Sequence, residues 1–229
     1  MKKKKGLFIV LDGTDGSGKA TQAGLLIKRL REKDYKVEQI DFPQYGKKSA
    51  VLVEEYLNGK YGKAREVGPY RASVFYACDR YVASARIEKW LKDGRIVICN
   101  SYVTANMGHQ GGKIKDGKER KKFFKWLYDL EYNIFSVPKP DINLILHVNI
   151  AVAQKMIDLK KKRNYLKGKE KDIHESDLGH LRDAEKAYLE ITRIFPDISL
   201  IECMSKGKIM SREKINDIIW SKLKRRLAR

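Results

Sequence analysis

The segment Gly13-Thr14-Asp15-Gly16-Ser17-Gly18-Lys19-Ala20-Thr21 directly follows the apolar run Leu7-Phe8-Ile9-Val10-Leu11, and this junction leaves the chain few architectures. A buried strand running through a glycine-rich turn into a helix aims several backbone N–H groups at one point, where phosphate oxygens fit. Lys19 supplies a cation for the bridging and terminal oxygens. The stretch therefore reads as a phosphate-binding loop, with Gly13, Thr14, Gly16, Ser17, Gly18, Lys19, Ala20 and Thr21 as candidate ATP contacts. One position departs from the pattern, because Ala20 stands where a hydroxyl would ligate magnesium. The expectation is that metal ligation moves to other groups while the nucleotide cradle persists.

Apolar runs at residues 7–11, 37–42, 95–99, 141–149 and 199–203 alternate with stretches of helical periodicity. Helices are expected at 18–33, 49–58, 69–92, 117–135, 150–162, 176–194 and 211–227, with Pro69 in a first turn and Ser176 and Ser211 as caps. Five strands alternating with helices predict an α/β fold, a doubly wound five-stranded parallel sheet covered on both faces. The near-continuous apolarity of Ile96-Val97-Ile98-Cys99 suits a central strand. In such a sheet, ligands bind outside the carboxyl ends of the strands, so the segments after each strand carry the chemistry.

The 229 residues suit a single domain, and no Ser, Pro or Gly linker divides them. No apolar run approaches the roughly 20 residues needed to span a membrane. Lys2 to Lys5 precede an apolar stretch too short for a signal peptide, and the three cysteines are odd in number and far apart. A cytoplasmic protein with no membrane partner is expected. The net charge of +20 attracts polyanions, but the terminal basic clusters lack interleaved aromatic residues. A solvated charged surface is favoured over nucleic-acid binding.

Beyond the loop, the segments Phe42-Pro43-Gln44-Tyr45, Tyr76-Ala77-Cys78-Asp79-Arg80, Asn100 to Gly112 and Pro138-Lys139-Pro140-Asp141 follow one another in an order and spacing that resemble the thymidylate kinases over nearly the whole chain. The resemblance implies a nucleoside monophosphate kinase fold with a short lid, here residues 160–175. It implies ATP and Mg2+ as cofactors, dTMP as acceptor and a homodimer. Carried over by position, Asp15 faces the acceptor sugar, Phe42 forms an apolar wall, and Tyr76 and Arg80 flank the base. Tyr102, Asn106 and Gln110 complete the acceptor side, and Lys19, Asp15 and Arg163 form the catalytic set. The i, i+4 spacing of Tyr76 and Arg80 places both on one helix face.

Three departures cluster. Ala20 replaces the loop hydroxyl, and Asn100-Ser101 stand where the family carries Asp-Arg before Tyr102. Each lost charge would remove about 3 to 4 kcal/mol of transition-state stabilisation, so compensation is needed, and Arg163 in the basic run 160–171 is its best candidate. His174, Glu175 and His180 match no zinc spacing and read as lid structure. The expected reaction is transfer of the γ-phosphoryl group of ATP to dTMP. The alternatives are a catalytically weak relative that binds nucleotide or nucleic acid, or a kinase for another pyrimidine monophosphate.

Overall fold

The computed structural model describes residues 6–158 and 178–227. Five parallel strands, β1 (Leu7–Asp12), β2 (Val37–Asp41), β3 (Ile96–Asn100), β4 (Ile142–His147) and β5 (Ile198–Glu202), form one sheet in the order β2-β3-β1-β4-β5. The centre of the sheet is β1, where Phe8, Ile9, Val10 and Leu11 are fully buried, as an apolar run covered on both faces must be. Its side chains alternate. Phe8 and Val10 pack with Val97, Cys99 and Ile145 into one core, while Ile9 and Leu11 pack with Ile98, Leu144 and Leu146 into another.

The second core is closed by α1 (Lys19–Arg31) and α9 (Arg212–Leu227), and Ser211 Oγ accepts from Lys214 N at 3.2 Å at the start of α9. The first core is closed by α4 (Pro69–Lys92), α5 (Val103–Gly111), α6 (Gly117–Asp129) and α8 (Leu178–Ile194). Two short helices, α2 (Val51–Leu57) and α3 (Ala64–Val67), precede α4. After β4 comes α7 (Ile150–Asp158). A small antiparallel hairpin, β6 (Met204–Ser205) and β7 (Lys208–Ile209), turns at Lys206 and Gly207, both with positive φ. Among the described residues no helix is long and apolar enough to cross a membrane.

The expected architecture is present, with two local corrections. Residues 103–111, expected as part of a loop after the third strand, form α5. A Cβ on Gly108 would stand 2.5 Å from the Tyr188 ring, and one on Gly112 2.8 Å from Ala184 N, so these glycines serve close contact with α8. The helix expected through 135 ends at Asp129 and continues as a π-turn, Leu130–Ile134. That wider turn accompanies an inward-facing carboxylate, Glu131.

Candidate active site

At the carboxyl end of β1 the chain enters the glycine loop with β4 and α7 pressed against it. A Cβ on Gly13 would lie 2.4 Å from Leu146 O, and one on Gly16 2.2 Å from Ala153 O; both residues have positive φ. No larger residue fits the turn, so the loop's shape is dictated by its neighbours. Lys19 Nζ donates to Gly13 O at 2.9 Å and Thr14 O at 3.0 Å and lies 3.7 Å from Asp15 Oδ1. The lysine is thus folded over the loop, its charge held at the cradle's centre. Tyr188 on α8 donates its hydroxyl to Gly13 O at 3.3 Å, bracing the loop from the other side. Ala20 and Thr21 are exposed on the first turn of α1.

Beneath the loop lies a polar floor. Asp12 ends β1 fully buried, and its Oδ1 accepts from Tyr102 N at 3.0 Å. Asp12 Oδ2, Ser17 Oγ and Asn100 Oδ1 are all buried with no hydrogen-bond partner. A buried polar atom in that state costs about 1–3 kcal/mol, so such a group persists where a ligand completes it. Burial raises the Asp12 carboxyl to about 6, opposed by the Tyr102 N–H, by the charges of Lys19 and Arg80 and by the Thr104 hydroxyl. A buried carboxylate such as Asp12 suits a hard cation such as Mg2+ or its water shell, and Ser17 Oγ suits a phosphate oxygen. Among the described residues no group of three His, Cys, Asp or Glu side chains forms a metal cage. The arrangement therefore fits a metal carried chiefly by nucleotide phosphates and water.

On the acceptor side, Phe42 is buried against Tyr102, ring centroids 5.6 Å apart. Tyr102 is itself fully buried, its hydroxyl donating to Pro138 O at 3.1 Å. Tyr76 is half-buried and meets Tyr56 edge-on at 6.3 Å. Asn106 Nδ2 donates to Ser73 O at 3.2 Å and its Oδ1 accepts from Ser73 Oγ at 3.3 Å, tying α5 to α4. Gln110 Oε1 accepts from Lys113 Nζ at 2.5 Å. Arg80 is 2% exposed, and its Nε stands 3.0 Å from both oxygens of Glu131. Its guanidinium also lies 5.9 Å from the centre of the Tyr102 ring. The i, i+4 spacing places Arg80 on the Tyr76 face towards the base, but its charge goes to Glu131 and the face of the Tyr102 ring. Arg163 and the lid 160–175, with His174 and Glu175, lie outside the described residues.

Several functional candidates were missed in the sequence. Asp12 had a signal, a carboxylate closing an apolar strand just before the first loop glycine. Lys113 had none: it donates to Tyr56 OH at 2.5 Å, lies over the Tyr56 ring, and is lowered by burial to about 7. Nor did the contact between His109 Nδ1 and His180 Nε2 at 3.2 Å, which joins α5 to α8. Burial lowers both imidazoles, to about 4 and about 3, so the pair is neutral at neutral pH. Gln44, where the resemblance calls for an arginine, is locked to Asp79 through its backbone N–H at 2.7 Å and its Nε2 at 3.0 Å. Ser101 adopts φ 66, an uncommon backbone state for a residue other than glycine.

The geometry can be set beside known proteins. The family model described as thymidylate kinase matches residues 11–213. A thymidylate kinase of Caldicellulosiruptor saccharolyticus is 28% identical over 225 residues, 97% of this chain and 100% of that protein. A probable thymidylate kinase of Pyrococcus horikoshii is 27% identical over 207 residues, 88% of this chain and 90% of its own. The fold matches a solved thymidylate kinase from Candida albicans with a TM-score of 0.74 at 20% identity, covering 97% of this chain and 92% of that one.

Proposed function

The chain belongs to the thymidylate kinase family and is a phosphotransferase acting on dTMP, and from that premise we propose that it uses MgATP as donor at the loop around Lys19. The observation that supports this most is the glycine loop itself, its Gly13 and Gly16 in positive φ against Leu146 and Ala153, with Lys19 folded over it and the buried Ser17 Oγ left without a partner. Lys19 and the loop amides hold the β- and γ-phosphates, and Ser17 Oγ donates to a phosphate oxygen. Asp12 and Asn100 would orient the metal's water shell, and the bound metal would neutralise charge developing on the transferring group. Asp15 accepts from the acceptor sugar hydroxyl, and Tyr76 lies against the base. Asn106 and Gln110, fixed by Ser73 and Lys113, shape the end of that pocket. Phe42, Tyr102 and Arg80 support it from below as positioning residues.

Arg163, from the lid at 160–175, is proposed to supply the charge that Ser101 does not. We also propose one cytoplasmic domain spanning residues 1–229 that works as a homodimer. An exposed apolar stripe on α4 supports the dimer: Val74, Tyr81 and Val82 are 37%, 57% and 64% exposed, beside Ile134 at 66%. Acceptor choice is tested by mixing the protein with MgATP and separate dTMP, dUMP, dCMP and UMP samples and resolving the diphosphates. Preferred formation of dTDP supports the reading; preference for a different monophosphate overturns the acceptor assignment.

A further inference from the structure

Lys113 carries a charge for which the described residues supply no counter-charge. It follows the end of α5, half-buried, and among the described residues no carboxylate lies within ion-pair distance of it. Its ammonium has three N–H donors and accepts nothing. One goes to Tyr56 OH and one to Gln110 Oε1, both at 2.5 Å, and the third has no acceptor among the described residues. Burial lowers this amine to about 7, a cost that an incoming oxygen would offset.

Both partners lie on the acceptor side. Tyr56 is fully buried and meets Tyr76, the residue set against the base, edge-on at 6.3 Å, and Lys113 Nζ rests 5.2 Å from the centre of the Tyr56 ring. Because a lysine only donates, its bond to Gln110 settles how that amide is turned: Oε1 faces Lys113 and Nε2 is left over. Gln110 is 1% exposed, yet its Nε2 has no acceptor among the described residues and is not sealed from water. Asn106, the other amide of α5, is held by Ser73 at both ends. The far end of α5 therefore offers two donors. Its near end starts beside Asp12, and His109 lies close enough to feel Asp15, Lys19 and Lys113. Lys113 stands about one helical turn beyond His109. A nucleotide with its sugar at Asp15 would bring to Lys113 the base edge farthest from the sugar, which in a pyrimidine is position 4.

We propose that Lys113 makes the acceptor pocket selective for a pyrimidine with an oxygen at position 4, donating its third hydrogen to that carbonyl and holding Gln110 so that Nε2 donates beside it. Lys113 does this only if the acceptor lies between Asp15 and Tyr76, as proposed above. A 4-amino pyrimidine brings N–H donors to the same place, where nothing accepts them. Arg80 leaves the role open, its charge being taken by Glu131.

The test measures rates with MgATP for dTMP, dCMP and 4-thio-dTMP, whose sulfur is a weak acceptor, using the full chain and Lys113→Met. In the parent chain the KM for 4-thio-dTMP is expected to exceed that for dTMP by about 10- to 100-fold, the weight of a charge-assisted hydrogen bond, with kcat little changed. Lys113→Met loses the same factor for dTMP through KM while dCMP loses nothing, so the dTMP-to-dCMP ratio of kcat/KM falls by about 10- to 100-fold. A merely structural loss would lower both substrates alike and leave the ratio unmoved. Should Lys113→Met fail to fold, the comparison of dTMP with 4-thio-dTMP in the parent chain decides alone. Equal KM values for those two, or an unchanged ratio in the variant, overturns the role of Lys113 while dTMP turnover stands. A parent chain that prefers dCMP, or turns over none of the three, overturns the acceptor assignment itself and the role of Lys113 with it.

Discussion

Glu131 receives the guanidinium of Arg80 where neither side chain reaches solvent, with Arg80 Nε 3.0 Å from each carboxylate oxygen. Burial alone disfavours the charged guanidinium, but the Glu131 carboxylate outweighs that cost and raises Arg80 above its ordinary value. Breaking a buried pair from one side leaves an uncompensated charge, which costs about 3–5 kcal/mol. Glu131→Gln is therefore expected to lower unfolding stability by about that amount in urea titrations. The double variant Arg80→Met, Glu131→Leu should lose less than Glu131→Gln alone, because no charge is left stranded. A double variant at least as unstable as the single one would contradict this account.

Asp12 carries the opposite kind of shift. Its carboxyl rises to about 6 from 3.8 because burial penalises the anion. The folded chain then binds this proton more readily than the unfolded chain, so the penalty is full above pH 6 and is relieved as pH falls from 6 towards 3.8. Asp12→Asn should stabilise the ligand-free protein at pH 7.5 by on the order of 2–3 kcal/mol, with the gain vanishing below about pH 4. The same change should lower turnover, since the site loses the buried charge beneath the phosphates. Thermal melts across pH together with steady-state rates check both halves; a variant that is less stable at pH 7.5 with unchanged turnover would refute the assignment.

How much of this was legible in the chain depends on distance along it. The five strands announced themselves because β1, β3 and β4 are covered on both faces and had to be apolar almost throughout. The loop was legible because its glycines and Lys19 are contiguous. The helix α5 was hidden by Gly108, Gly111 and Gly112, whose composition reads as loop; Gly108 and Gly112 make room for the Tyr188 ring and the backbone near Ala184, some 70 to 80 residues on, and Gly111 for the Phe124 ring. The i, i+4 spacing of Tyr76 and Arg80 was readable, but the partner that takes the Arg80 charge is 51 residues away and turned inward within a π-turn. The contact of His109 with His180 spans 71 positions with no local mark.

His147 offers a stability test away from the site. Burial opposes its protonation, but hydrogen bonds donated by its ring nitrogens to Glu202 and Glu185, at 2.7 and 2.9 Å, outweigh that and raise its pKa. A raised imidazole contributes stability that is fully present below its unfolded value of 6.5 and is lost as pH rises through the folded value. His147→Gln should therefore destabilise most near pH 6, and the difference from the parent should shrink as pH rises towards 9. A difference that grows with pH would show that the carboxylates do not hold the charged ring.

Lys19 in the loop is the residue on which phosphoryl transfer turns, and one measurement addresses it directly: dTDP formation from dTMP and MgATP by the parent chain and by Lys19→Ala, with both proteins shown to be folded. Loss of one preorganised charge on the transferring group removes about 3–4 kcal/mol, so kcat/KM should fall by about 10² to 10³ in the variant. Diphosphate from the parent chain at that multiple over Lys19→Ala is the predicted result. A parent chain that makes no more dTDP than Lys19→Ala would contradict the account at its centre.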